Sequence, residues 1–189
     1  MEVNKLYFVK DEYFENCEVD TIPKNKESDS ISEHNRPCYC AFENEGVYWM
    51  IPISSQVDKY KNIYQKTVSK YGFCDTISFV HIKGNENVAL IQNMIPVTQN
   101  HINNIYMYAD TNNPIEINKN KQKEINAKAR KVLRMARNGK QLTFTPILEL
   151  EQKIFNQKYL QQLITFVSQS VLDFLPEDVK VSQELQYTL

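Results

Sequence analysis

Apolar positions along the first hundred residues fall in short runs rich in strand formers, broken by turn residues. Lys5 to Val9 predicts a strand. Pro37–Phe42 and Val47–Ile53 predict a hairpin closed by Glu43-Asn44-Glu45-Gly46. Thr76–Ile82 and Val88–Ile91 predict a second hairpin around residues 83–87, and Met94-Ile95-Pro96-Val97 extends or ends its last strand. Pro52 has no N–H to give a ladder, which predicts a sheet edge or a strand end there. Asp11 to Cys17 predicts one or two helical turns. Residues 20–35 predict a long exposed loop, of a size usually functional or mobile.

Further along, the spacing becomes helical. Asp58 to Tyr71 has helical or irregular character and carries Lys59, Lys61, Lys66 and Lys70. Residues 98–110 predict a short helix bearing Ile102, Ile105 and Tyr106, with a turn at 110–114. Asn120 to Asn138 is the clearest helix: Ile125, Ala129, Val132, Leu133 and Ala136 share one face, and Gly139 follows at the stop. Leu142–Phe144 predicts a last strand. Glu149 to Phe174 predicts a long helix with Leu160, Leu163, Ile164, Val167, Val171 and Phe174 as its apolar stripe, ended by Pro176. The fold class is α+β. The domains are a unit over 1–148 and a helical extension of it over 149–189.

At 189 residues the chain buries a core without staples. Its formal net charge of -1 conceals segregation: residues 1–50 hold eleven acids and five bases, whereas residues 119–140 hold nine bases and one acid, Glu124. A polyanion would feel the second segment. Cys17, Cys38, Cys40 and Cys74 form no C-x-x-C pair and read as free thiols of a reducing compartment. No metal and no cofactor is expected. Neither a signal peptide nor a membrane-spanning run is visible, so a cytoplasmic protein with no membrane partner is expected.

The chemistry gathers at residues 34–61. A hairpin strand there delivers two adjacent hydroxyls, Ser54 and Ser55, to its end. Arg36 precedes the partner strand, and Lys59 and Lys61 follow the hydroxyls. Alcohols and cations at one sheet rim suit a phosphodiester, and hence RNA. The run Arg36-Pro37, strand, Gly46 turn, strand, Pro52-Ile53-Ser54-Ser55 resembles the type III toxin–antitoxin endoribonuclease toxin family (the ToxN/AbiQ/CptN/TenpN group). So do the strand ending Met94-Ile95-Pro96 and the basic helix Lys121–Arg137 after it. The pieces match in order over roughly residues 5–145.

That resemblance implies a compact, strongly twisted antiparallel sheet or partial barrel, MazF/Kid-like, flanked by helices. It implies metal-independent cleavage of single-stranded RNA, such as mRNA, by 2′-OH attack to a 2′,3′-cyclic phosphate. It implies inhibition by a small structured antitoxin RNA. By position, Ser54 and Ser55 match the family's strand-end hydroxyl pair and Arg36 its basic residue. Lys59 stands in for a lysine that in the family lies nearer the hydroxyls, here after Gln56-Val57-Asp58, with Lys61 as substitute.

Arg36 suits the charge of the phosphorane, because its planar fork grips phosphate oxygens and stays charged. Ser55 positions; a serine hydroxyl is too weak a base alone. His34, His81 or a lysine is left as the group that moves protons. Lys61, Lys128, Lys131 and Arg134 are the expected RNA contacts. Tyr39 and Trp49 are expected in the core, and His101 as structural. The rival reading is a non-catalytic RNA- or protein-binding module using the basic helix 121–137. A toxin neutralised by a protein is a weaker third. A homo-oligomer and a ring built with RNA both stay open.

Overall fold

A computed structural model of the chain describes residues 1–15 and 36–174. The chain divides into two compact units, Met1–Glu151 and Gln152–Leu189. The first unit holds seven strands in one antiparallel sheet: β1 (Leu6–Val9), β2 (Pro37–Asn44), β3 (Val47–Ser54), β4 (Ile77–Ile82), β5 (Asn85–Leu90), β6 (Ile95–Val97) and β7 (Ile102–Ile105). Its helices are α1 (Asp11–Glu15), α2 (Val57–Tyr71) and α3 (Lys119–Arg137). A fourth, α4 (Ile147–Phe174), runs on into the second unit. The strand order is β4-β5-β3-β2-β1-β7, with β6 also paired to β3, and the sheet is not closed into a barrel.

Both hairpins close on two residues in the left-handed region, Glu45-Gly46 and Lys83-Gly84, with φ of 53° and 76° in the first and 52° and 76° in the second. Such turns match the twist of the flanking strands and fix register. The second is therefore tighter than the five-residue turn that composition predicts, and it pairs Ile82 with Asn85.

Pro52 lies in the central strand, not at an edge, and is paired with Cys38. The reason is local. On its other side β3 pairs with β6 through Tyr48–Met50 and with β5 through Ile53–Ser54. A 3-10 turn at Ile91–Asn93 separates those two strands, and neither ladder includes Ile51 or Pro52. A proline there deprives no neighbour of a donor.

The short helix predicted at 98–110 is instead a single 3-10 turn, Gln99–His101, followed by β7. Thr98 and the His101 ring hold that turn reciprocally. The chain then completes the open side of β1, pairing Ile102 with Val9 and Ile105 with Tyr7. Ladder bonds outweigh weak local helix propensity there. Residues 142–144 are not a strand either; hydrogen bonds to the chain at 92–94 hold them in irregular form.

Burial covers both sheet faces. Tyr7, Val9, Cys38, Cys40, Met50, Ile95 and Val97 pack with Tyr13 and Phe14 of α1 and with Leu150. Ile77, Val88 and Leu90 pack with Cys74 and with Val57, Tyr60, Tyr64 and Val68 of the α2 region. The apolar face of α3 is the one that spacing predicts: Ile125, Ala129, Val132, Leu133 and Ala136 are all buried. Tyr39 and Trp49 are core residues with no exposure. Burial pushes the Cys38 and Cys40 thiols up to about 12, so they remain protonated in the apolar cluster. No described helix is long and apolar enough to cross a membrane.

Candidate active site

Antiparallel pairing decides what meets at the rim. Cys38 faces Pro52. Two residues further out along each chain lie Arg36 and Ser54, both beyond the last residue pair of this ladder. Arg36, just before β2, and Ser54, the last residue of β3, thus lie at the same end of the hairpin. The Arg36 guanidinium is half-buried, and its charge is felt at the Cys38 thiol, where it opposes the effect of burial.

Ser54 is buried and its Oγ accepts the Gln56 N–H at 3.2 Å. That bond closes the turn from β3 into α2, in the manner of serine at helix starts. Ser55 sits in the bend itself and is exposed. Its carbonyl accepts the Val57 N–H at 2.9 Å. The two hydroxyls therefore differ: one holds the turn, and the other faces solvent.

The turn also aims a helix start at the rim. The amides of Asp58 and Lys59 precede any intrahelical acceptor, and the Gln56 side chain makes no cap bond. In α3, by contrast, the Asn118 side chain accepts the Asn120 N–H at 2.9 Å. Uncapped first-turn amides favour an anion. Sequence reasoning missed them, because backbone donors carry no residue signature; the Ser-Ser-Gln-Val-Asp entry into a lysine-bearing helix was the available signal.

The lysines sort by their partners. Lys59 is exposed, 5.5 Å from the Tyr60 ring centroid. Lys61 pairs with Glu86 at 2.6 Å. Glu86 in turn faces His81 across the β4–β5 ladder, which puts His81 two strands away from Ser54, exposed. His34 lies outside the described residues. His101 packs edge-on to Tyr13, and burial lowers its pKa, with the Lys10 charge adding to the effect.

On α3 the structure separates the cations that the sequence groups together. Lys128 is largely buried, 3.0 Å from Glu124 and 3.2 Å from the Ile77 carbonyl. Lys131 pairs with Asp75 at 2.6 Å and lies over the Phe73 ring. Both pair with acids of the chain itself, although the Lys131 side chain stays partly exposed. Lys123, Arg130, Arg134 and Arg137 form the exposed stripe. Arg130 covers the Phe42 ring at 4.3 Å and Arg137 pairs with Glu151 at 2.6 Å. Burial pushes the Glu124 pKa up, but hydrogen bonds from Lys121, Ser78 and Lys128 outweigh it and hold the carboxyl at about 2.

An antiparallel sheet of this order, with helices α2 and α3 packed on it, is a fold seen before. No family model and no curated protein sequence matches the chain. Among solved structures it is similar to AbiQ, a lactococcal anti-phage endoribonuclease belonging to the type-III toxin-antitoxin system. The TM-score is 0.58 at 16% identity, over 84% of this chain and 99% of AbiQ. The resemblance to the type III toxin endoribonucleases thus holds at the level of the fold.

Proposed function

We propose that this protein is a metal-independent endoribonuclease toxin of a type III toxin–antitoxin, abortive-infection system. It acts in the cytoplasm on single-stranded RNA and is held inactive by a small structured RNA. What supports the reading is that Arg36, Ser54, Ser55 and the open start of α2 lie at one end of the β2–β3 hairpin, on a fold shared with an endoribonuclease. In the reaction the 2′-oxygen of one nucleotide attacks the adjacent phosphorus. The P–O5′ bond breaks, the 2′-OH proton passes to a base, and the 5′-oxygen takes up a proton.

Arg36 holds the non-bridging oxygens and stabilises the phosphorane charge. The Asp58 and Lys59 amides and the Lys59 ammonium add to that field. Ser55 donates to the scissile phosphate or orients the 2′-OH, while Ser54 keeps the turn that presents it. Lys61, paired with Glu86, serves as a more distant RNA contact. Arg134, with Arg130 and Lys123, tracks flanking phosphates; Lys128 and Lys131 act by bracing α3.

The test is cleavage of single-stranded RNA by purified protein in EDTA, together with growth arrest on induced expression. Arg36→Ala and Ser55→Ala are expected to lower cleavage by about a hundredfold or more while leaving the thermal transition in place. A single 2′-deoxy at the cut site is expected to block the reaction. Undiminished cleavage by both variants would overturn the site. Salt-sensitive binding without cleavage at any pH would instead favour the non-catalytic RNA-binding module.

A further inference from the structure

Resting on the RNA reading above, we propose a second contact: the cleft between the end of α3 and the start of α4 takes one unstacked RNA base on the face of Phe144. The cleft measures about 290 Å³, and Ala136, Lys140, Gln141, Thr143, Phe144 and Leu148 form much of its wall. That is the small end of ligand-site sizes, room for one flat ring system.

Phe144 is 64% exposed, more than any other large apolar residue described in the first unit. A lone exposed apolar side chain is ordinary; its bare ring is not ordinary here. Each other strongly exposed aromatic of that unit has an ammonium over it: Lys70 at Tyr71, Lys131 at Phe73 and Lys83 at Tyr108. Among the described residues no ring or cation lies against Phe144.

The backbone that carries the ring is held in place. The Phe144 N–H donates to the Gln92 carbonyl at 2.8 Å. The Thr143 hydroxyl donates to the Thr145 carbonyl and the Thr145 hydroxyl to the Met94 carbonyl, both at 2.8 Å and both buried. A pinned loop keeps Phe144 at the cleft, so a base stacking there meets little backbone ordering cost. Around the ring, Lys140 and Gln141 offer donors to a base edge, and Arg134, exposed in the last turn of α3, is available to a flanking phosphate. The same wall includes Glu149, which disfavours a second phosphate there and fits a neutral base.

The test uses the full-length protein and a 2′-O-methyl single-stranded oligonucleotide, which lacks the attacking hydroxyl, with one 2-aminopurine moved along it. Wild-type protein is expected to quench the fluorophore at one position. Phe144→Ala is expected to remove that quench and weaken binding about ten- to a hundredfold, and Phe144→Trp to restore both. Unchanged binding and quenching in Phe144→Ala would overturn the cleft, and so would failure of the tryptophan variant to recover. If unmodified RNA is still cut by wild type in either case, the nuclease reading survives. If wild type neither binds nor cuts RNA, both readings fall.

Discussion

The two lysine-bearing helices of the first unit, α2 and α3, look alike in composition and are opposite in construction. α2 buries no residue fully, lacks a side-chain cap at its start, and ends on Gly72 in the left-handed region with φ 79°. α3 buries five residues, is capped by Asn118, and spends several of its cations on carboxylates of its own chain. One helix packs through partly buried side chains, Val57, Tyr60, Tyr64 and Val68, and its polar start is left open. The other is fastened along its length, and its remaining charge faces out. Basic composition alone therefore says little about where an anion binds; the lesson lies in which donors are left unclaimed.

Truncating an apolar side chain in each separates the two most sharply. Ile125→Ala in α3 is expected to destabilise the fold by about 3 kcal/mol, whereas Ile63→Ala in α2 stays within about 0.5 kcal/mol. Urea unfolding checks this, and equal losses would show that α2 is fastened more firmly than its exposure indicates. Next is acid. The Glu124 carboxyl, at about 2 in the fold against 4.5 ordinarily, is depressed, so its contribution is fully present above pH 4.5 and is lost as pH falls from 4.5 towards 2. Melting temperature against pH is expected to fall more gently across that window in Glu124→Gln, from a lower plateau.

Caps give a smaller contrast. Asn118→Ala is expected to cost about 1 kcal/mol, and Gln56→Ala close to nothing, since Gln56 makes no cap bond. The finest distinction is in salt. Arg134→Ala is expected to reduce the slope of log affinity for RNA against log salt by about 1. Lys128→Ala leaves that slope nearly unchanged and lowers the melting temperature instead, because its ammonium is committed to Glu124 and Ile77. A drop in slope for Lys128→Ala would return that lysine to the RNA face.

Much of this was legible beforehand where a single local rule governs. The buried face of α3 follows from 3.6-residue spacing, and the β2–β3 hairpin follows from its two-residue turn, although a bulge between Cys40 and Phe42 shifts the register set there. Legibility ended where distant residues decide. β7 exists because β1 has an open side, which nothing within 98–105 reveals. Whether Lys61 or Lys131 is free depends on Glu86 and Asp75, which come near only in the fold, whereas the Glu124–Lys128 pair is a four-residue spacing on one helix. Pro52 misled because a broken neighbour strand can shelter a proline inside a sheet as well as an edge can.

The chain has one tryptophan, Trp49, sealed from solvent, stacked on Phe42 at 5.9 Å, with the Arg130 guanidinium on that same phenyl ring. Its indole N–H has no acceptor among the described residues. The molecule thus carries an intrinsic fluorophore whose emission is expected to be blue-shifted and to report on a neighbour that borders the proposed polyanion track. Drawing Arg130 away to a phosphate would alter that emission, giving a label-free optical signal of docking on α3 that is separate from any event at the opposite face of β3.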